Sequence, residues 1–147
     1  MIQYETMTQA HVAGIAQLEK ICFSDPWSEK SVASELENPL SLWLVALEEG
    51  QVVGYIGSQS VEGESDMMNV AVAPEHRRQG IAEQLVLRLM QALQAKGNHS
   101  LALEVRESND GAIALYEKLG FVQVGLRPNY YRNPKENALI LRKEWTL

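Results

Sequence analysis

Two hydrophobic rhythms alternate along this chain, and the changes between them mark its elements. "IQYET" near the start reads as a short strand. Thr8 then suits a helix N-cap. Val12, Ile15, Ala16, Leu18 and Ile21 follow at helical spacing, predicting a helix to about Phe23. "SDPW" interrupts it, because proline disfavours helix in the preceding residue. Ser28 caps a second helix expected to end near Asn38-Pro39. "LWLVALEEGQVVGYIGSQS" is two β-rich runs around a Glu-Glu-Gly turn, a hairpin signal. "ESDMMNVAVA" is another strand. In "GIAEQLVLRLMQALQAKG", Ile81, Leu85, Leu89 and Leu93 fall on one helical face, and Gly97 supplies a C-terminal stop. "SLALEVR" is a strand and "NDGAIALYEKLGF" a short helix stopped by Gly120. "FVQVGLRPNYY" and "ALILRKEW" close the chain as two strands. The order β-α-α-β-β-β-α-β-α-β-β predicts an α/β (α+β) fold, a mixed sheet with helices on both faces.

Composition narrows this pattern. The chain has 147 residues, 46% of them hydrophobic, without repeats, low-complexity tracts or linkers, so residues 1–147 read as one domain. It has no apolar run of transmembrane length, and "MIQYETMTQAH" lacks the layout of a signal peptide, so no membrane partner is expected. A single cysteine, Cys22, excludes an internal disulfide framework and fits a cytoplasmic location. A net charge of −6 disfavours direct nucleic-acid binding. It suits solubility first, and also a basic peptide or amine substrate. His11, His76 and His99 sit at no metal-ligand spacing, and no metal is expected. Glu37, Glu48 and Glu49 read as solvated surface.

The most informative stretch is "NVAVAPEHRRQGIAEQLVLRLM", Asn69 to Met90. A strand running into a helix N-terminus leaves unpaired N–H groups and the positive end of the helix dipole. Together these make an anion site. Gly80 and Ala82 lack bulk, and Arg77 and Arg78 add permanent charge. A P-loop would need Gly-Lys-Ser/Thr, and a dinucleotide fingerprint two further glycines; neither is present. The bare pattern reads equally as a solvated basic turn before a core helix.

Arg77-x-x-Gly80-x-Ala82 after Val70-Ala71-Val72 resembles the acyl-CoA pyrophosphate loop of the GNAT superfamily of N-acetyltransferases. "ESNDGAIALYEKLGF" resembles that superfamily's second signature. "CFSDPWS", "LEVRESNDGAIALYEKLGF" and "LRPNYY" are similar to the ribosomal-protein-alanine N-acetyltransferase (RimI) family. The resemblance implies a single-domain GNAT fold with a mostly antiparallel, splayed sheet. It implies acetyl-CoA as co-substrate and the N-terminus of a small-subunit ribosomal protein as acceptor. The implied cofactor-binding residues are Val70, Ala71, Val72, Arg77, Arg78, Gln79, Gly80, Ile81, Ala82, Glu83 and Asn109. The alternatives are the same fold acting on a small-molecule amine, or a non-catalytic acyl-CoA-binding domain.

Acetyl transfer to an amine needs a neutral amine, a polarised carbonyl and a protonated leaving thiolate. It also needs a positioned donor. Alternation in "SLALEVR" puts Ala102, Glu104 and Arg106 opposite Leu101, Leu103 and Val105. Glu104 matches the family's proton acceptor; by itself it reads as a surface glutamate paired with a basic neighbour. Tyr116 is the candidate acid, or otherwise a core tyrosine. Asn109 doubles as a helix N-cap. Trp27, Tyr130 and Tyr131 are candidate walls of the peptide entrance, with Met67 and Met68 nearby, or ordinary packing. Cys22 reads as buried rather than nucleophilic, since its sequence neighbours supply no base.

Overall fold

The computed structural model describes residues 1–145. Its strands are β1 (Ile2–Thr6), β2 (Ser41–Glu48), β3 (Gln51–Val61), β4 (Glu64–Val72), β5 (Ser100–Arg106), β6 (Val122–Tyr131) and β7 (Glu136–Glu144). The helices are α1 (Gln9–Cys22), α2 (Glu29–Ser34), α3 (Ile81–Ala95) and α4 (Asp110–Lys118). One sheet runs β1-β2-β3-β4-β5-β7-β6, antiparallel except between β4 and β5. The predicted element order and mixed sheet are both present.

Local chemistry explains most boundaries. The β2–β3 turn places Glu49 at φ 51° and Gly50 at φ 81°, two left-handed residues that match the twist of a tight hairpin. The apolar stripe of α1 buries Val12, Ile15, Ala16 and Leu18 beneath β2–β4. Ile21 departs from the expected stripe and is 57% exposed. Three residues past Leu18 the stripe has rotated off the sheet, and Glu19, one turn after Ile15, takes the buried place. Ser28 Oγ accepts from Ser31 N at 3.1 Å, capping α2. The second helix is shorter than expected: α2 ends at Ser34 and a 3-10 turn covers Glu35–Glu37. There the Glu35 carboxylate turns inward to accept from Ser41 Oγ, Trp43 Nε1 and Gln59 Nε2 at 3.0, 3.2 and 2.9 Å.

On the opposite face Ile81, Leu85, Leu89 and Leu93 of α3 are all buried. Each such side chain contributes about 1.5–3 kcal/mol of burial free energy. The same layer includes Leu101, Leu103 and Val105 of β5, Leu141 of β7, and Tyr116 and Phe121. Helices therefore cover both faces of β2–β4 but only one face of β5, β7 and β6.

The sheet opens in its middle. The parallel β4–β5 ladder holds Glu64, Ser65 and Asp66 against Ser100, Leu101 and Ala102. Beyond Asp66 the two strands separate. Where they part, β4 carries a bulge: Asn69 faces Gly57 and Met67 faces Ser58, leaving Met68 as the extra residue. A bulge bends its strand and sharpens its twist. Gly57 serves this region by its lack of a side chain, since a Cβ there would lie 2.3 Å from the Trp43 ring.

Candidate active site

Backbone donors line the β4 side of the opening. Ala73 N donates to Val53 O at 2.8 Å, which fixes the alternation of the β3–β4 ladder. Tyr55 and Ala71 are then a hydrogen-bonded pair, whereas Val70 and Val72 point their N–H groups away from β3, towards the opening. The strand thus presents an open ligand donor at Val72, while the Val70 amide donates to Asn69 Oδ1 at 3.1 Å and the Ala71 amide is used inside the sheet. Past the strand, Arg78 has φ 65° and Gly80 φ 78°, a left-handed turn into α3. Gln84 N closes the first helical bond onto Gly80 O at 3.1 Å. The amides of Ile81, Ala82 and Glu83 precede that bond and have no intrahelical acceptor. A Cβ on Gly80 would meet nothing within 4 Å, so a bulky anion can approach the backbone here.

The two arginines of this loop behave differently. Arg77 folds back, its Nε donating to Val72 O at 3.2 Å and its Nη2 lying 3.6 Å from Cys22 Sγ. It ties the loop to β4 and α1 instead of extending towards an anion. Arg78 is exposed and has no such tie among the described residues. Glu83, an acid beside an anion site, turns its carboxylate to Lys118 Nζ at 2.7 Å. Asn109 caps α4, its Oδ1 accepting from Ala112 N at 3.2 Å.

Glu104 lies on the uncovered face of β5, with its side chain 30% exposed. Its Oε2 is buried without an aligned hydrogen bond, although Arg127 Nε stands 3.4 Å away at ion-pair distance. Arg127 reaches it from β6 across β7, over the small Ala138 that pairs with both Arg106 and Arg127. Asp66 shares this neighbourhood. Burial, followed by the Glu104 charge, raises its carboxyl above the usual range, while Arg127 partly offsets both.

Tyr116 sits on the other side of the opening, on α4. It is 4% exposed, with its ring edge-on to Phe121 at 5.5 Å. Among the described residues its hydroxyl has no hydrogen-bond partner. Burial pushes its phenol up to about 12, with a smaller contribution from Tyr131. At neutral pH it holds its proton and can only donate it.

The candidate walls divide. Trp27 packs edge-to-face on Trp43 at 5.4 Å, and its backbone N donates to Glu19 Oε1 at 2.8 Å. Tyr130 is half exposed and Tyr131 partly buried, their rings perpendicular at 5.0 Å. Arg106 locks Tyr131 in place. Its guanidinium lies 4.3 Å over the ring and donates to Pro134 O and Arg132 O at 2.9 and 3.1 Å. Trp27 thus stands on the α1–α2 connection and the tyrosine pair at the C-terminal end of β6, flanking the uncovered face.

Four polar residues of this region escaped the sequence reading: Glu19, Asp66, Asn69 and Arg127. Alternation along "ESDMMNVAVA" offered a signal for Asp66, but Glu19 lies inside an apolar helical stripe, where no pattern marks it. Among the described residues no cluster of three or more metal-ligating side chains occurs, and no helix is long and apolar enough to cross a membrane.

The sheet is thus split, with open amides on one arm and a carboxylate on the other. Residues 12–121 match the acetyltransferase (GNAT) family, and the chain belongs to it. The ribosomal protein bS18-alanine N-acetyltransferase of Escherichia coli (strain K12) is 39% identical over 127 residues, covering 84% of this chain and 84% of that protein. The Salmonella typhimurium protein of the same description is 38% identical over 128 residues, covering 85% of each. The crystal structure of the ribosomal-protein-S18-alanine N-acetyltransferase from Escherichia coli matches with a TM-score of 0.92 at 32% identity, over 100% of this chain and 96% of that one.

Proposed function

We propose that this protein transfers the acetyl group of acetyl-CoA to the N-terminal α-amine of a protein, first of all the N-terminal alanine of a small-subunit ribosomal protein. The observation that carries the reading is the split between β4 and β5. Amide donors and Tyr116 stand on the helix-covered side, and Glu104 stands on the uncovered side. The donor and the acceptor can then meet from opposite faces.

The residues fit an acyl-CoA. The amides of Arg78 to Glu83 and the α3 dipole suit its pyrophosphate. The Val72 amide suits its acyl arm and the oxyanion that develops on attack, with the Val70 amide beside it held by Asn69 Oδ1. On the other side, Asp66 and Glu104 attract an ammonium group. Glu104 takes its proton, directly or through water, and the neutral nitrogen attacks the thioester carbonyl. The C–N bond forms, the nitrogen gives its second proton to water, the C–S bond breaks, and Tyr116 supplies a proton to the departing sulfur. Tyr116 then regains its proton from solvent. Holding both reactants in one cleft makes the reaction effectively unimolecular.

The α-amine is favoured over lysine for a physical reason. Its pKa is about 8 against about 10.4, so a lysine costs about 3.3 kcal/mol more to deprotonate. The test is a peptide with a free N-terminal alanine and an internal lysine, incubated with the protein and acetyl-CoA. Mass spectrometry is expected to find acetyl on the N-terminus. Acetylation mainly on lysine, or only on free small amines, contradicts the reading.

A further inference from the structure

Glu19 is 1% exposed, yet among the described residues it forms no salt bridge. Burying a carboxylate is costly unless hydrogen bonds replace its water. Three neutral donors do so here. Trp27 N reaches Oε1 at 2.8 Å, Asn69 Nδ2 reaches Oε2 at 2.6 Å, and Tyr55 OH donates to Oε2 as well. They come from three places: the α1–α2 connection, β4 and β3. An apolar residue would fill this position in the α1 stripe without any desolvation cost.

The geometry of Asn69 gives the carboxylate its role. Asn69 immediately follows the bulged Met68, where β4 leaves β5. With its Nδ2 committed to Glu19, its Oδ1 turns to Val70 N at 3.1 Å. Val70 N is one of the two strand amides that face the opening. The other oxygen of Glu19 fixes the backbone of Trp27, whose ring is seated on Trp43 beside the uncovered face.

We propose that Glu19 is a positioning residue for acetyl transfer, setting the acyl-binding stretch of β4 and the acceptor-side Trp27 connection in register with a single carboxylate. This rests on the function proposed above. Reacting atoms must be held about 3–3.5 Å apart, and a displacement of about 1 Å can cost about 10²-fold in rate. One rigid anchor shared by both sides meets that requirement.

Chemistry supplies a specific test. Glutamine at position 19 offers one acceptor oxygen and an NH₂ that opposes the Asn69 NH₂. Asn69 must then flip or withdraw, taking Oδ1 off Val70 N. Pairing Glu19→Gln with Asn69→Asp restores the polarity. Gln Nε2 donates one hydrogen to the Asp carboxylate, whose second oxygen accepts from Val70 N, and the other to the Tyr55 hydroxyl, which rotates to accept it; Gln Oε1 still accepts from Trp27 N.

The experiment is steady-state kinetics with acetyl-CoA and an alanine-initiated peptide on the parent, both single variants and the double variant, with a thermal melt of each. Glu19→Gln is expected to lose at least about tenfold in kcat/KM, with a raised peptide KM as well as a lowered kcat. The double variant is expected to recover to within about threefold of the parent, even if its melting temperature stays low. A merely structural Glu19 would make activity follow the melt and leave the double variant no better. That outcome overturns the proposal, as does a Glu19→Gln protein within threefold of the parent. If Glu19→Gln fails to fold, Asn69→Ala keeps the Trp27 and Tyr55 bonds. It is expected to lower kcat about tenfold while the peptide KM holds, and an unchanged kcat overturns the proposal. A parent protein that transfers no acetyl group overturns the functional reading itself, a failure visible before any variant is made.

Discussion

Arg127 Nε stands 3.4 Å from Glu104 Oε2, so a cation already faces the carboxylate that is proposed to receive the substrate's proton. Both side chains are partly exposed, and such pairs contribute little to stability, about 0–1 kcal/mol. The arriving ammonium must displace the guanidinium. Arg127→Gln is therefore expected to lower the peptide KM by about threefold at low salt, with a smaller effect at high salt as charges are screened. Initial rates at two ionic strengths check this, and an unchanged or raised KM contradicts it.

Gly80 carries φ 78° at the entry to α3, with open space around it. A side chain there meets a backbone penalty of about 1–2 kcal/mol but no collision within the protein. It would occupy the approach to the α3 amides. Gly80→Leu is expected to fold with a modestly lowered melting temperature and to bind acetyl-CoA at least tenfold more weakly. Calorimetry decides, and unchanged affinity removes the loop from the site.

Tyr116 links the site to stability at high pH. Its phenol is pushed up to about 12 in the folded protein, from 10.0 as the ordinary value. The folded state thus holds this proton more tightly than the unfolded state does. The contribution is fully present below pH 10 and is lost as pH rises through about 12, at up to about 1.4 kcal/mol per pH unit. Denaturation between pH 9 and 12 is expected to weaken the parent more steeply than Tyr116→Phe. Parallel slopes would contradict a buried, proton-holding Tyr116.

Cys22 lies against Val72 O and the Arg77 guanidinium, at the C-terminal end of β4. Direct transfer needs no acyl-cysteine. Cys22→Ser is expected to keep kcat within about threefold, and initial-velocity plots for the two substrates should intersect. Parallel plots together with an inactive serine variant would establish a covalent route.

The fold was legible because its signals are local and periodic. The leucine stripe of α3, the Glu49-Gly50 turn and the glycines at 97 and 120 specify their elements almost independently of the rest. The candidate site was legible only in part. The alternation of β5 separates Glu104 from the core, but the opening that exposes it depends on a β4–β5 ladder that ends at Asp66. Nothing local encodes that ending. Arg77 shows the same limit: its motif position suggested an anion ligand, whereas its guanidinium is used by Val72 O. Glu19 was the least legible, because a buried carboxylate in an apolar stripe is explained only by donors from residues 8, 36 and 50 positions away.

The most direct measurement of the account is the kcat of Tyr116→Phe with acetyl-CoA and an alanine-initiated peptide, followed from pH 7 to 9. The substitution keeps the ring against Phe121 and removes only the proton. A general acid contributes about 10²–10⁴ in rate. A loss in that range is expected, with acetyl-CoA affinity within a few fold of the parent. A kcat within threefold of the parent across the range would contradict the placement of acid and base on opposite sides of the split sheet, and return Tyr116 to the core.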